Sequence, residues 1–176
     1  LFERLRAGTL KAVWIVCTNP VHSMPAVAGI REALQQAELV IVQDAFSGTD
    51  TVAYADVLLP AAGWGEKDGT VTNSERRITR VRKAVQAPGQ ARADWWIANE
   101  VARRLEARLA PANGQGLFAF DNTAQIFNEH RALTVGRDLD IGGLDDARLD
   151  DAPQQWPFPK GSVQGHARRY TDGVFA

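Results

Sequence analysis

Three short apolar runs, each ending abruptly in a polar residue or a proline, limit what this chain can build. Lys11-Ala12-Val13-Trp14-Ile15-Val16-Cys17 stops at Thr18-Asn19-Pro20, Leu39-Val40-Ile41-Val42-Gln43 stops at Asp44, and Val57-Leu58-Leu59 stops at Pro60. Runs that are continuously apolar, rather than alternating, suit strands buried on both faces, as in a parallel sheet. Between the first two, Pro25 is placed for the opening turn of a helix, and Val27, Ile30, Leu34 and Ala37 mark one helical face. Strand, helix, strand, crossover, strand is the order of a Rossmann-like parallel sheet. The expected class is therefore α/β, with strands near 12–17, 39–43 and 56–59 and with Asn19 and Asp44 at the same edge.

Beyond Gly65 the pattern changes. Gly69 to Asn73 and Arg76 to Lys83 read as two extended segments around a turn, with a basic side of Arg76, Arg77, Arg80, Arg82 and Lys83. Pro88-Gly89 is a loop, and Asp94 then sits where it can cap a helix whose face is Ile97, Val101, Leu105 and Leu109. Ala110 to Gly116 has the composition of a linker, Asn122 to Arg131 fits a helix carrying Ile126 and Phe127, and the turn-rich remainder from Gly136 is expected to hold little regular structure. The corresponding domain division is a Rossmann-like region over 1–110, an irregular linking segment over 111–160, and the start of a further domain over 161–176.

A chain of 176 residues provides one domain or one and a half. Its hydrophobic share of 45% and charged share of 23% are those of a soluble globular protein. A net charge of −1 gives no reason to expect nucleic acid or an anionic membrane as partner. The single cysteine, Cys17, rules out an internal disulfide and any all-cysteine metal cage within the chain. No apolar run approaches the length of a membrane span, so a cytoplasmic location is the default expectation. The chain lacks an initiator Met, and Leu1-Phe2-Glu3-Arg4-Leu5 reads as the end of a helix already under way, so an internal piece of a longer polypeptide is expected.

In an open parallel sheet, ligands bind beyond the carboxyl ends of the strands. Three such ends are legible: Thr18-Asn19-Pro20, Gln43-Asp44 and the loop after Pro60. Asp44 stands where nucleotide-binding α/β folds place an acid for a sugar or base, and Asn19 offers both donor and acceptor. Lys67 is a natural counter-charge for a diphosphate or an extended heterocycle. Each has a plainer reading as well: Asn19 as a turn initiator before Pro20, Asp44 as a strand end, Asp94 as a helix cap, Lys67 as a solvated lysine. Cys17 reads as a small buried hydrophobe, and His22, His130 and His166 are too dispersed to form a metal site. Neither G-x-G-x-x-G nor GxxxxGK[ST] occurs, which argues against ordinary NAD and ATP sites.

The ordered set Cys17-Thr18-Asn19-Pro20, Gln43-Asp44, Ala55-Asp56-Val57-Leu58-Leu59-Pro60, Glu66-Lys67-Asp68-Gly69-Thr70 with Asn73 and Glu75-Arg76-Arg77, and Pro88-Gly89 with Asp94-Trp95 closely resembles the cofactor-binding region of the bis-molybdopterin guanine dinucleotide family, which includes formate dehydrogenases and prokaryotic nitrate reductases. The resemblance implies a partial molybdopterin oxidoreductase domain, with the nucleotide half of one molybdenum-carrying pterin over this sheet. By analogy, Asn19, Gln43, Asp44, Lys67 and Asp94 would be the cofactor-binding positions. Motifs that carry the cluster cysteines of a 4Fe-4S centre and the molybdenum ligand lie upstream of this region in the family and are absent here. The segment alone is accordingly expected to be inactive.

The C-terminal third narrows the likeness. Phe127-Asn128-Glu129-His130-Arg131, Gly136-Arg137-Asp138-Leu139-Asp140-Ile141, Pro153-Gln154-Gln155-Trp156-Pro157 and Arg169-Tyr170-Thr171-Asp172-Gly173 resemble the assimilatory nitrate reductase branch, with Ala152 in place of the usual glycine before Pro153. That branch implies nitrate as substrate and an electron-donor protein or reductase subunit as partner. The alternatives are another bis-molybdopterin enzyme, such as a formate dehydrogenase or periplasmic nitrate reductase, or the molybdenum-free large iron–sulfur subunit of NADH:quinone oxidoreductase. Lys67 and the Gln-Gln-Trp-Pro stretch argue against the last.

Overall fold

A computed structural model describes residues 1–109 and 116–174. The expected linker over Ala110 to Gly116 therefore lies outside the described residues except for Gly116, as do Phe175 and Ala176. The chain divides into two compact units: Leu1–Gly63 with Gln86–Ala98, and Trp64–Val85 with Asn99–Ala176. Boundaries at 110 and 160 remain a proposal from the sequence.

The first unit contains α1 (Phe2–Arg6), β1 (Ala12–Val16), α2 (Pro20–Ser23), α3 (Val27–Gln36), β2 (Leu39–Asp44) and β3 (Val57–Pro60). The strands form a parallel sheet in the order β1-β2-β3, with Val13 beside Val40, Ile15 beside Val42 and Asp44 beside Pro60. Observed strands and expected ones agree to within a residue at each end. Val13, Ile15, Val40 and Val42 lie on one face and pack with Leu5, Val21, Ile30, Ala33 and Leu34 into a single core. Each Val, Leu or Ile among them, fully buried, contributes about 1.5–3 kcal/mol. The Asp56 carboxylate accepts the Val40 backbone N–H at 2.7 Å, which fixes where β3 begins to pair.

Two expectations about this unit are corrected. The strands are not buried on both faces: Trp14 and Ile41, opposite the core, are half-buried, and Val57 and Leu58 on β3 are exposed. Continuous apolarity alone does not distinguish a strand covered twice from one covered once within this chain. Pro25 does not open α3, which begins at Val27 behind Ala26 in the left-handed region (φ 56°). Pro20 instead takes the first-turn position, in the short α2.

After leaving the unit at Gly63, the chain returns through residues 86–98. Ala61 and Arg92 form a parallel bridge, with Arg92 N–H donating to the Pro60 carbonyl and Ala62 N–H to that of Arg92. This pairing extends the edge at the carboxyl end of β3 and sets the start of α4 (Asp94–Leu109) there.

The second unit is built on a hairpin of β4 (Gly69–Thr72) and β5 (Arg77–Val81), as the sequence suggested. Its turn is held by Asn73, whose Oδ1 accepts the N–H groups of Glu75 and Arg77. Helix α5 (Thr123–Thr134) is capped by Asn122, which accepts from Gln125 N–H. Among the described residues after Gly136 regular structure is sparse, as expected: α6 (Asp146–Asp151), capped by Asp145, and β6 (Gln154–Gln155), which pairs antiparallel with β5. Ile78, Phe127, Ile141, Leu144, Leu149 and Phe158 form its core. Gly165 has no room for a side chain: a Cβ there would meet the Gln155 carbonyl oxygen. The apolar face of α4 is only partly covered. Ile97 is buried, whereas Leu105 and Leu109 are 51% and 77% exposed.

Candidate functional site

Because β1, β2 and β3 are parallel, their carboxyl ends meet at one edge of the sheet. Asn19 follows β1, Gln43 and Asp44 close β2, and Asp94 is brought in by the Ala61–Arg92 bridge. The backbone itself ties the first two ends together, with Cys17 N–H donating to the Gln43 carbonyl at 2.9 Å.

Gln43 and Asp94 form the centre of this edge. Gln43 is 2% exposed, and its Nε2 donates to Asp94 Oδ1 at 2.8 Å. Since a carboxylate only accepts, the amide must turn its NH2 toward Asp94. That orientation leaves Gln43 Oε1 buried without a hydrogen-bond partner. The Cys17 thiol also donates to Asp94 Oδ1, at 3.3 Å. Asp94 was expected as a helix cap, but it is the first helical residue. The Ala93 carbonyl takes the capping role by accepting from Trp96 and Ile97, and the Asp94 side chain accepts from Gln43 and Cys17.

Asn19 is half-buried and does not cap α2 with its side chain. Its Oδ1 accepts instead from Thr51 N–H at 3.2 Å and from Thr51 Oγ1 at 2.6 Å. Thr51 is fully buried, and its hydroxyl oxygen in turn accepts Val21 N–H. Asp44 is half-buried, and its Oδ1 accepts Phe46 N–H at 2.9 Å in a local turn. Lys67 belongs to the second unit, where its ammonium lies 5.7 Å from the centre of the Trp64 ring. The structure thus gathers Asn19, Gln43, Asp44 and Asp94 at one sheet edge and places Lys67 in the other unit.

Two contributors escaped the sequence reading. Thr51 sits in a polar loop with no spacing to mark it. Cys17 was taken for a buried hydrophobe but is exposed, just past the end of β1, with a left-handed backbone (φ 54°). The basic side of the hairpin proves structural: Arg80 pairs with Asp146 at 2.9 Å, Arg82 with Asp150, and Arg77 with Glu75. Arg76 donates to the carbonyls of Trp156, His166 and Ala167. The bond from Arg77, with a second from Asn73, holds the Glu75 carboxyl below its ordinary range.

Two carboxylates and two carboxamides at the carboxyl edge of a parallel sheet make an acceptor-rich site of the α/β kind. A guanine base fits such a donor set, since it presents donors that a carboxylate can accept and acceptors that an amide can serve. The orphaned Gln43 Oε1 fits too, as a buried acceptor that a donor-bearing ligand would satisfy.

Residues 1–104 match the molybdopterin oxidoreductase family, and the chain belongs to it. Members of that family carry a molybdenum–pterin cofactor. The chain is 46% identical to a nitrate reductase of Klebsiella oxytoca over 91% of its length and 19% of that protein. It is 41% identical to an assimilatory nitrate reductase of Haloferax mediterranei, over 90% of this chain and 21% of that one. An F420-dependent formate dehydrogenase alpha subunit of Methanococcus maripaludis is 38% identical over 84% of this chain and 20% of its own. Among solved structures, acetylene hydratase from Pelobacter acetylenicus shares the fold, with a TM-score of 0.67 at 17% identity over 90% of this chain and 20% of that one. The chain spans about a fifth of the length of these relatives. No helix among the described residues is long and apolar enough to cross a membrane.

Proposed function

We propose that this chain is the part of a molybdenum oxidoreductase that holds the guanine dinucleotide end of one molybdopterin, in a cytoplasmic enzyme reducing nitrate to nitrite. The observation that carries the proposal is the Gln43–Asp94 bond at the carboxyl edge of the sheet, a buried amide fixing a carboxylate where a base can meet it. Asp94 would accept donors of the guanine, and Asp44 and Asn19 would meet the sugar or base. Lys67 would supply counter-charge. Gln43 would act mainly through Asp94, with its buried Oε1 offered to the ligand. When bound, the molybdenum–pterin group supplies the two-electron chemistry; the residues of this chain bind and orient its nucleotide end. A 4Fe-4S cluster in other parts of the polypeptide and an electron-donor protein complete the scheme.

Identity to nitrate reductases at 46% favours nitrate as substrate, and identity at 38% to a formate dehydrogenase supports the second reading. The test is the full-length protein carrying Asp94→Ala, Asp44→Ala or Lys67→Ala, assayed for molybdenum and GMP per chain, with circular dichroism as the check on folding. Losing a charge-assisted bond costs about 1.5–3 kcal/mol, roughly one to two decades in affinity. Full cofactor content in all three variants would refute the site. Wild-type turnover with formate but not nitrate would decide for the second reading.

A further inference from the structure

We propose that Phe46 is the platform on which the guanine base stacks, a positioning residue for the nucleotide end of the cofactor. The proposal rests on the nucleotide reading above. The polar groups at the sheet edge bond a base in its own plane, through its rim. None of them covers a face, so the flat surface of the base needs a partner of another kind.

The loop over 45–50 supplies one. It begins at Asp44 and ends at Thr51, so each of its ends is tied to a residue of the site: Phe46 N–H donates to Asp44 Oδ1 at 2.9 Å, and Thr51 donates twice to Asn19 Oδ1. The rest of this loop, Ala45, Ser47, Gly48, Thr49 and Asp50, is small or polar, and Phe46 is its single aromatic. Yet Phe46 is 71% exposed, the highest value among the described large hydrophobic residues of the first unit. A phenyl ring bare to water, on a loop pinned at both ends to the polar groups of the site, is placed to be covered by what those groups hold. Stacking on an aromatic ring also tolerates any base, which leaves discrimination to the carboxylates.

The experiment uses full-length protein from a host that cannot make the pterin, titrated with GMP by calorimetry and by ultraviolet difference absorbance. The variants are Phe46→Tyr, Phe46→Leu and Asp94→Ala, each checked by circular dichroism. Phe46→Leu keeps bulk and apolarity but loses the aromatic face. It should weaken GMP binding about tenfold and abolish the hypochromic change of a stacked purine. Phe46→Tyr should retain both. If Phe46→Leu binds GMP with wild-type affinity and hypochromism while Asp94→Ala does not, the stacking proposal falls and the nucleotide site stands. If Asp94→Ala also binds as wild type, or if wild type binds no GMP, the nucleotide reading falls and the stacking proposal with it.

Discussion

Gln43→Glu is the most informative single change at the sheet edge, because it alters charge and almost nothing else. In the native protein a neutral amide donates to Asp94 Oδ1 at 2.8 Å from a side chain that is 2% exposed. The substituted carboxyl occupies the same space and can still donate, but only while it keeps its proton. Two ionised carboxylates about 4 Å apart repel by about 4 kcal/mol at an effective dielectric of 20. At 1.36 kcal/mol per pH unit, the pair should hold its shared proton to roughly three units above an ordinary carboxyl. Below that range the variant keeps Asp94 in place. As pH rises through it, the second charge appears, Asp94 is pushed away, and nucleotide affinity falls. The assay is GMP titration of the cofactor-free full-length protein between pH 6 and 8, taken as the ratio of variant to wild-type affinity so that ionisation of GMP cancels. The ratio should drop at least tenfold across the window. A ratio that stays flat would refute the claim that Gln43 acts by holding Asp94.

Other outcomes follow from the packing and the charges. Leu34→Ala, in the core between α3 and the sheet, should destabilise the first unit by about 2–5 kcal/mol, read as a lower urea midpoint at unchanged slope. Asn19→Ala removes the acceptor shared by Thr51 N–H and Oγ1; the buried Thr51 groups left unpaired should cost about 1–3 kcal/mol in the same measurement. The Glu75 carboxyl is held below its ordinary range by bonds from Arg77 and Asn73, so this contribution to the hairpin is present at neutral pH and lost as pH falls through the lowered midpoint. An NMR titration should place that midpoint below that of a free glutamate, and Arg77→Ala should move it back up.

The sheet was legible because its evidence is local. Val13, Ile15, Val40 and Val42 stand in short runs bounded by polar stops, and parallel pairing follows from the helix between the first two. The position of Asn19 and Asp44 at one edge came with it. Gln43 was harder. Its place at the strand end suggested ligand contact, whereas its amide bonds to Asp94, fifty-one residues further along. Helical periodicity marked the α4 face but not its covering: Leu105 and Leu109 are exposed, because an apolar stripe records what a helix can bury and not what this chain provides to cover it. The packing of the turn-rich segment after Gly136 was hidden for another reason. Ile141, Leu144, Leu149 and Phe158 share no single period; turns and backbone bonds such as Phe158 N–H to the Asp140 carbonyl bring them together. Much of the string from Asn73 to Arg77 braces a hairpin turn.

A map of the full-length protein with its cofactor bound measures directly where the nucleotide lies. Guanine donors are expected within hydrogen-bond distance, about 2.7–3.2 Å, of the Asp94 carboxylate, with Gln43 Nε2 still on Oδ1. A guanine found away from the carboxyl edge of this sheet, with Asp94 and Asp44 bonded only to protein, would contradict that placement.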